Sequence, residues 1–141
     1  MMICFLVAVL LGFQSSGWET LEDVTFRNSY SSELETIIDI PNFGSQLLSQ
    51  NGKSIKIRGY YLPFELKNPK GIILSKFPYS SCFFCGGAGL ESVAEVHFST
   101  KPLEFHPDEI VTVKGTLQLN QDDFEHLVFI VTHAELATWN D

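Results

Sequence analysis

Apolar and polar residues alternate most cleanly from Lys53 onward. Ile55, Ile57 and Gly59 fall on one side of an extended segment and Ser54, Lys56 and Arg58 on the other, which predicts a half-buried strand closing at Pro63. A loop ending at Pro69 and Gly71 precedes a second predicted strand, 72–77, stopped by Pro78. A third, 92–98, carries Ala94, Val96 and Phe98 on one face and Val93, Glu95 and His97 on the other. After a loop with Pro102 and Pro107, residues 110–119 read as a long strand with Val111, Val113, Leu117 and Leu119 on its buried face. Gly115 interrupts that face and predicts a bulge or a sharp bend of the kind that turns the corner of a small barrel. Residues 120–125 read as an acidic turn or short helix with Asn120 placed to cap it. The run 127–132 is apolar on both faces, so it predicts a covered strand, and 134–141 reads as a tail.

Upstream the elements are shorter. Residues 23–27 predict a brief strand with Val24 and Phe26 on one face, 28–35 a polar turn, and 36–40 a second apolar run stopped by Pro41. Residues 42–50 suit a helical turn or two, ended by Asn51-Gly52. Five main strands, short connections and little helix predict an all-β fold with minor α content. The architecture expected is a small five-stranded barrel of the oligonucleotide/oligosaccharide-binding (OB) type with a β-rich N-terminal extension, and a β-sandwich is the alternative.

Ahead of this domain, 18–141, the first 17 residues have the layout of a signal peptide. An apolar run from Met1 to Phe13 is followed by Gln14-Ser15-Ser16-Gly17, and the run is too short to span a bilayer as a helix. The alternatives are a buried helix or a weak membrane anchor. No Lys or Arg precedes the run, so its positive flank is the α-amino group alone, and Cys4 sits too far inside it to become the lipid-modified first residue of a mature lipoprotein. Export to the periplasm or cell envelope is the expectation.

Composition adds two limits. With 45% hydrophobic residues and twelve Phe in 141 residues, the chain has enough apolar material for one packed core. All seventeen acidic and nine basic side chains follow Gly17, so the domain keeps the full net charge of −8, which disfavours sequence-independent nucleic-acid binding. The basic residues cluster: Lys53, Lys56, Arg58, Lys67, Lys70 and Lys76 stand against the single acid Glu65 in that interval. This reads as a solvated hairpin face, with an anion- or partner-binding patch that also uses Tyr60 and Tyr61 as the alternative.

The candidate chemistry lies at Ser80-Ser81-Cys82-Phe83-Phe84-Cys85-Gly86-Gly87. Two cysteines separated by two residues on a glycine-rich turn can face one soft ion, and Zn²⁺ is the natural choice. Only two thiols follow the leader, so imidazole or carboxylate must complete the shell. His97 is the nearest candidate, with Glu95 on the same strand face and His106 and His133 in reserve. The expected metal ligands are therefore Cys82, Cys85 and His97. In an oxidising compartment the same two cysteines can instead pair as a structural or redox-active disulfide. His126 beside Asp122, Asp123 and Glu125 is either a hard-metal cluster or a solvated turn. No Ser-His-Asp order or Gly-x-Ser-x-Gly elbow is present, and no catalytic residues are assigned.

At Gly59-Tyr60-Tyr61-Leu62-Pro63, 73–77 with the Cys82–Gly87 stretch, and Val113-Lys114-Gly115-Thr116-Leu117, the chain resembles domain-of-unknown-function family 3299, an exported bacterial family. The resemblance implies an OB-type barrel and a cell-envelope location. It implies no reaction. The expectation is thus a non-enzymatic exported barrel whose cysteine loop binds zinc, structurally or for metal handling, its partner being that metal or an unknown envelope protein. A thiol-disulfide protein and a partner-binding module are the alternatives.

Overall fold

The computed structural model describes residues 16–83 and 86–140. The expected leader, except Ser16 and Gly17, and the expected ligand Cys85 lie outside the described residues. Seven strands are present among them: β1 Val24–Ser31, β2 Thr36–Phe43, β3 Ser54–Leu62, β4 Gly71–Ser75, β5 Val93–Phe98, β6 Ile110–Leu119 and β7 Phe129–Leu136. Among the described residues one α-helix, α1 Ser45–Gln50, follows β2.

Strands β3 to β7 close into a barrel in the order β3-β4-β5-β7-β6. Every neighbouring pair is antiparallel except β5 and β7, which run parallel. This is the five-stranded Greek-key order of an OB barrel, as the strand count and the glycine-broken fourth barrel strand predict. Ile55 and Ile57, Ile72 and Leu74, Ala94 and Val96, Val111 and Val113, and Phe129 and Val131 fill the interior. Burying each large side chain of this kind contributes about 1.5–3 kcal/mol.

Trp18, Leu21 and Leu47 belong to the same core although none is on a barrel strand. The indole N–H of Trp18 donates to the carbonyl of Arg58 at 2.9 Å, which satisfies its one polar group. Helix α1 is started from a distance: the backbone N–H groups of Gln46 and Leu47 donate to Asp23 Oδ2 at 3.1 and 3.2 Å. Asp23 thereby satisfies N–H groups that a helix start leaves without internal partners.

Gly115 acts as the alternation predicts. The β6–β7 register shifts between Lys114 and Thr116. A Cβ on Gly115 would lie 2.6 Å from the Thr132 carbonyl oxygen and 2.7 Å from Val131 Cγ1, so the bulge closes only around a glycine.

Several sequence boundaries change: the strand expected over 72–77 is Gly71–Ser75, and the one expected from 127 starts at Phe129. Asn28 to Ser31, read as turn, extends β1, and Pro41, read as a stop, sits inside β2 opposite Phe26. In a two-stranded ribbon both strands are edges, where proline is tolerated. The expected tail begins as β7, with Ala134 paired to Phe98 and Leu136 to Val113. His133 adopts φ 51°, and that kink breaks the two-residue period on which the sequence reading relied.

A smaller apolar cluster coats the outside of the barrel. Leu62, Ile73, Cys82 and Val93 are buried together there, with Phe64, Leu66, Phe83 and Leu127 against them. The outward face of β5 is therefore covered, and it also holds Glu95 and His97.

Candidate metal centre

Val93, Glu95 and His97 alternate along the outer side of β5, opposite the Ala94, Val96 and Phe98 face that enters the core. Glu95 is 3% exposed, an unusual position for a carboxylate. What covers it is the segment joining β6 to β7, whose path Asn120 fixes. The Asn120 amide donates to the carbonyls of Asp123 at 2.7 Å, His126 at 3.3 Å and Leu127 at 3.1 Å, and its Oδ1 accepts from the Asp123 N–H at 3.0 Å. The capping role expected of Asn120 thus becomes the organisation of a whole loop.

That loop brings His126 to the strand. Glu95 Oε2 accepts from His97 Nε2 and from His126 Nδ1, each at 2.9 Å, while Oε1 accepts from the Leu127 backbone N–H at 2.8 Å. Both carboxylate oxygens are thereby satisfied, the condition under which a buried charge is tolerated. The tautomer of His97 follows from its second neighbour. Asn68 Oδ1 accepts from the Lys70 N–H at 3.0 Å, so its Nδ2 is the group facing His97 Nδ1 at 2.7 Å. Nδ1 is consequently the acceptor, and the ring proton resides on Nε2.

Burial pushes the Glu95 carboxyl up, but hydrogen bonds from His97, His126 and the Leu127 N–H outweigh it and hold the group below the usual carboxylate value. The Glu95 hydrogen bond pulls the His126 imidazole above its ordinary value against partial desolvation, with added attraction from Glu95, Asp123 and Glu125. His126 Nε2 lies 4.0 Å from Asp123 Oδ2.

The ligand atoms of Glu95, His97 and His126 all lie within 4.8 Å of one another. His97 and His126 also line a cleft of about 460 Å³ that carries Asp122, Asp123 and Thr132. Two imidazoles and a carboxylate suit zinc and other borderline divalent ions, and three protein ligands leave a coordination position open.

The chain is similar to a solved DUF3299 family protein. That crystal structure is of a protein from Pseudomonas aeruginosa PAO1; at 13% sequence identity the match covers 70% of this chain and 68% of that one, with a TM-score of 0.48. No family model and no curated protein gives a match to the chain.

Of the residues expected to bind metal, His97 is in the group and Cys82 is not. Cys82 is buried in the outer apolar cluster with Val93, two positions along β5 from Glu95. The reserves His106 and His133 also stand apart from the group. Glu95 and His126 were visible as chemistry, one as the strand neighbour of His97 and the other as part of an acidic turn. Their meeting was not, because it depends on how the loop after β6 folds back over β5.

Proposed function

We propose that this chain is an exported cell-envelope protein whose small barrel binds one divalent metal ion through Glu95, His97 and His126. The observation that carries this reading is the convergence of three ligand atoms within 4.8 Å at the edge of an open cleft. Zinc with nitrogen and oxygen ligands at about 2.0–2.2 Å needs ligand atoms roughly 3.4 Å apart, so the present 2.9 Å contacts have only to open by a few tenths of an ångström as the metal replaces two protons.

The surrounding residues fit that exchange. With metal at His126 Nδ1, the Nε2–H points towards Asp123 Oδ2, 4.0 Å away, a carboxylate of the kind that commonly orients metal-bound histidine. With metal at His97 Nε2, the ring proton moves to Nδ1, and Asn68 accepts it by turning its amide over.

A second reading places the metal, or a disulfide, at Cys82 and Cys85. It is favoured by the seat of Cys82 against Val93, close along β5 to Glu95. Thiolate ligands there would select a soft ion for structural or metal-handling use. Thiol exchange with a partner protein would fall to Cys85, since Cys82 is buried and a buried thiol is a poor nucleophile.

Elemental analysis of protein purified without chelator separates the readings. One equivalent of metal lost in His126→Ala and kept in Cys82→Ser supports the Glu95 site. The reverse pattern assigns the metal to the cysteines, and no metal in any form rejects both metal sites, leaving only the disulfide at Cys82 and Cys85.

A further inference from the structure

The β1–β2 hairpin is seated on the barrel at one end and unsupported at the other. Val24, Phe26 and Phe43 pack against the core, and Gln121 Nε2 donates to the Pro41 carbonyl at 3.3 Å. Cross-strand partners share a face, so Val24/Phe43, Phe26/Pro41, Asn28/Asp39 and Tyr30/Ile37 form one continuous side. The side that grips the barrel therefore runs on to a distal pair, Tyr30 and Ile37, that are 67% and 66% exposed. Leu34, at the turn, is 47% exposed between Glu33 and Glu35, and Asp39 adds a further negative charge to the same side. An apolar tip rimmed with carboxylates has the composition of a docking surface.

The complementary surface lies on the outer wall of β3 and β6. Lys56 stands opposite Lys114, and Tyr60 opposite Ile110, with Arg58 between them. Arg58 and Lys114 make no ion pair among the described residues. Next to them is a cleft of about 370 Å³ lined by Arg58, Tyr60, Phe77, Ile110 and Trp139. Ile110 is 50% exposed. In a chain of net charge −8, the Lys56, Arg58 and Lys114 cations beside Tyr60, Ile110 and Trp139 are opposite in charge to the hairpin tip, with Glu135 on β7 the one acid paired across from Lys114.

We propose that the hairpin tip of one copy docks in the β3–β6 cleft of a second copy, placing Tyr30, Leu34 and Ile37 against Tyr60, Ile110 and Trp139 and the tip carboxylates against Arg58, Lys56 and Lys114. Each chain carries both surfaces, so two reciprocal contacts close a symmetric dimer. This inference is independent of the metal site.

Sedimentation equilibrium of the purified protein at low and high salt tests it. The expected result is a dimer whose dissociation constant rises with salt, and rises about tenfold or more in Tyr30→Ser/Ile37→Ser and in Arg58→Glu. Mixing the two variants should restore a dimer, because the intact tip of the second fits the intact cleft of the first; damage to folding would not be repaired by mixing. A wild type that stays monomeric at about 0.1 mM overturns the proposal, whatever else binds the tip. A dimer insensitive to Arg58→Glu, or no recovery on mixing, overturns it as well.

Discussion

Glu95 Oε2 and His126 Nδ1 lie 2.9 Å apart although 31 residues separate them in sequence. The contact fastens the β6–β7 loop to the outer face of β5, and with His97 it gathers three candidate ligand atoms among the described residues. Its strength and its chemistry can be tested separately.

Removing the carboxylate should cost stability even without metal. Glu95→Ala leaves the buried Leu127 N–H and two imidazoles without their acceptor, and the expected loss is about 2–4 kcal/mol in urea unfolding. A loss under about 0.5 kcal/mol, the level of an ordinary surface substitution, would mean that the cluster does not hold the loop.

The metal-free protein should be most stable in a mildly acidic window. Glu95 has a lowered folded-state value, so its contribution is present above the ordinary 4.5 and is lost as pH falls through the folded value. His126 has a raised one, so its contribution is full below the ordinary 6.5 and is lost as pH rises through the folded value. Urea midpoints measured across pH should form a plateau between these limits, and His126→Gln should flatten the alkaline fall while leaving the acid one. An alkaline fall unchanged in His126→Gln would show that another group causes it.

Asn68 offers a test of the metal-bound tautomer. Aspartate there keeps an acceptor for the Lys70 N–H and gives His97 Nδ1–H a carboxylate acceptor without any amide rotation. Asn68→Asp should therefore tighten zinc binding and Asn68→Leu weaken it, the latter by about 10- to 100-fold, as when other outer-shell partners are lost. Equal affinities in all three proteins would exclude His97 Nε2 as a ligand.

Gly115→Ala should destabilise the barrel by about 1–3 kcal/mol, the usual penalty for inserting a methyl group where backbone already stands. The added Cβ would be 2.6 Å from the Thr132 carbonyl oxygen. At Gly86, outside the barrel, no heavy atom comes within 4 Å of an added Cβ, and there it is the φ of 77° that favours glycine.

The barrel was readable because most of its strands alternate and are bounded by proline or glycine. Ile55/Ile57 and Ala94/Val96 point inward as the two-residue period requires, and Gly115 marks the bulge. The errors fall where a local rule met a tertiary circumstance: Pro41 is accommodated in an edge strand, and β7 continues through a kink at His133. The site was half legible. Glu95 and His97 share a strand face by simple periodicity, and His126 stood out among its acidic neighbours. No local pattern could join them, because the fold that does so runs through the side chain of Asn120.

The most direct test is a calorimetric titration of the metal-free protein with Zn²⁺ near neutral pH, repeated on Glu95→Gln, His97→Ala, His126→Ala and the double variant Cys82→Ser/Cys85→Ser. Metal held by Glu95, His97 and His126 requires one ion per chain, proton release as His126 gives up its Nδ1 proton, at least about tenfold weaker binding in each of the first three variants, and unchanged binding in the cysteine variant. Binding that survives loss of the imidazoles and disappears with the thiols would contradict that assignment.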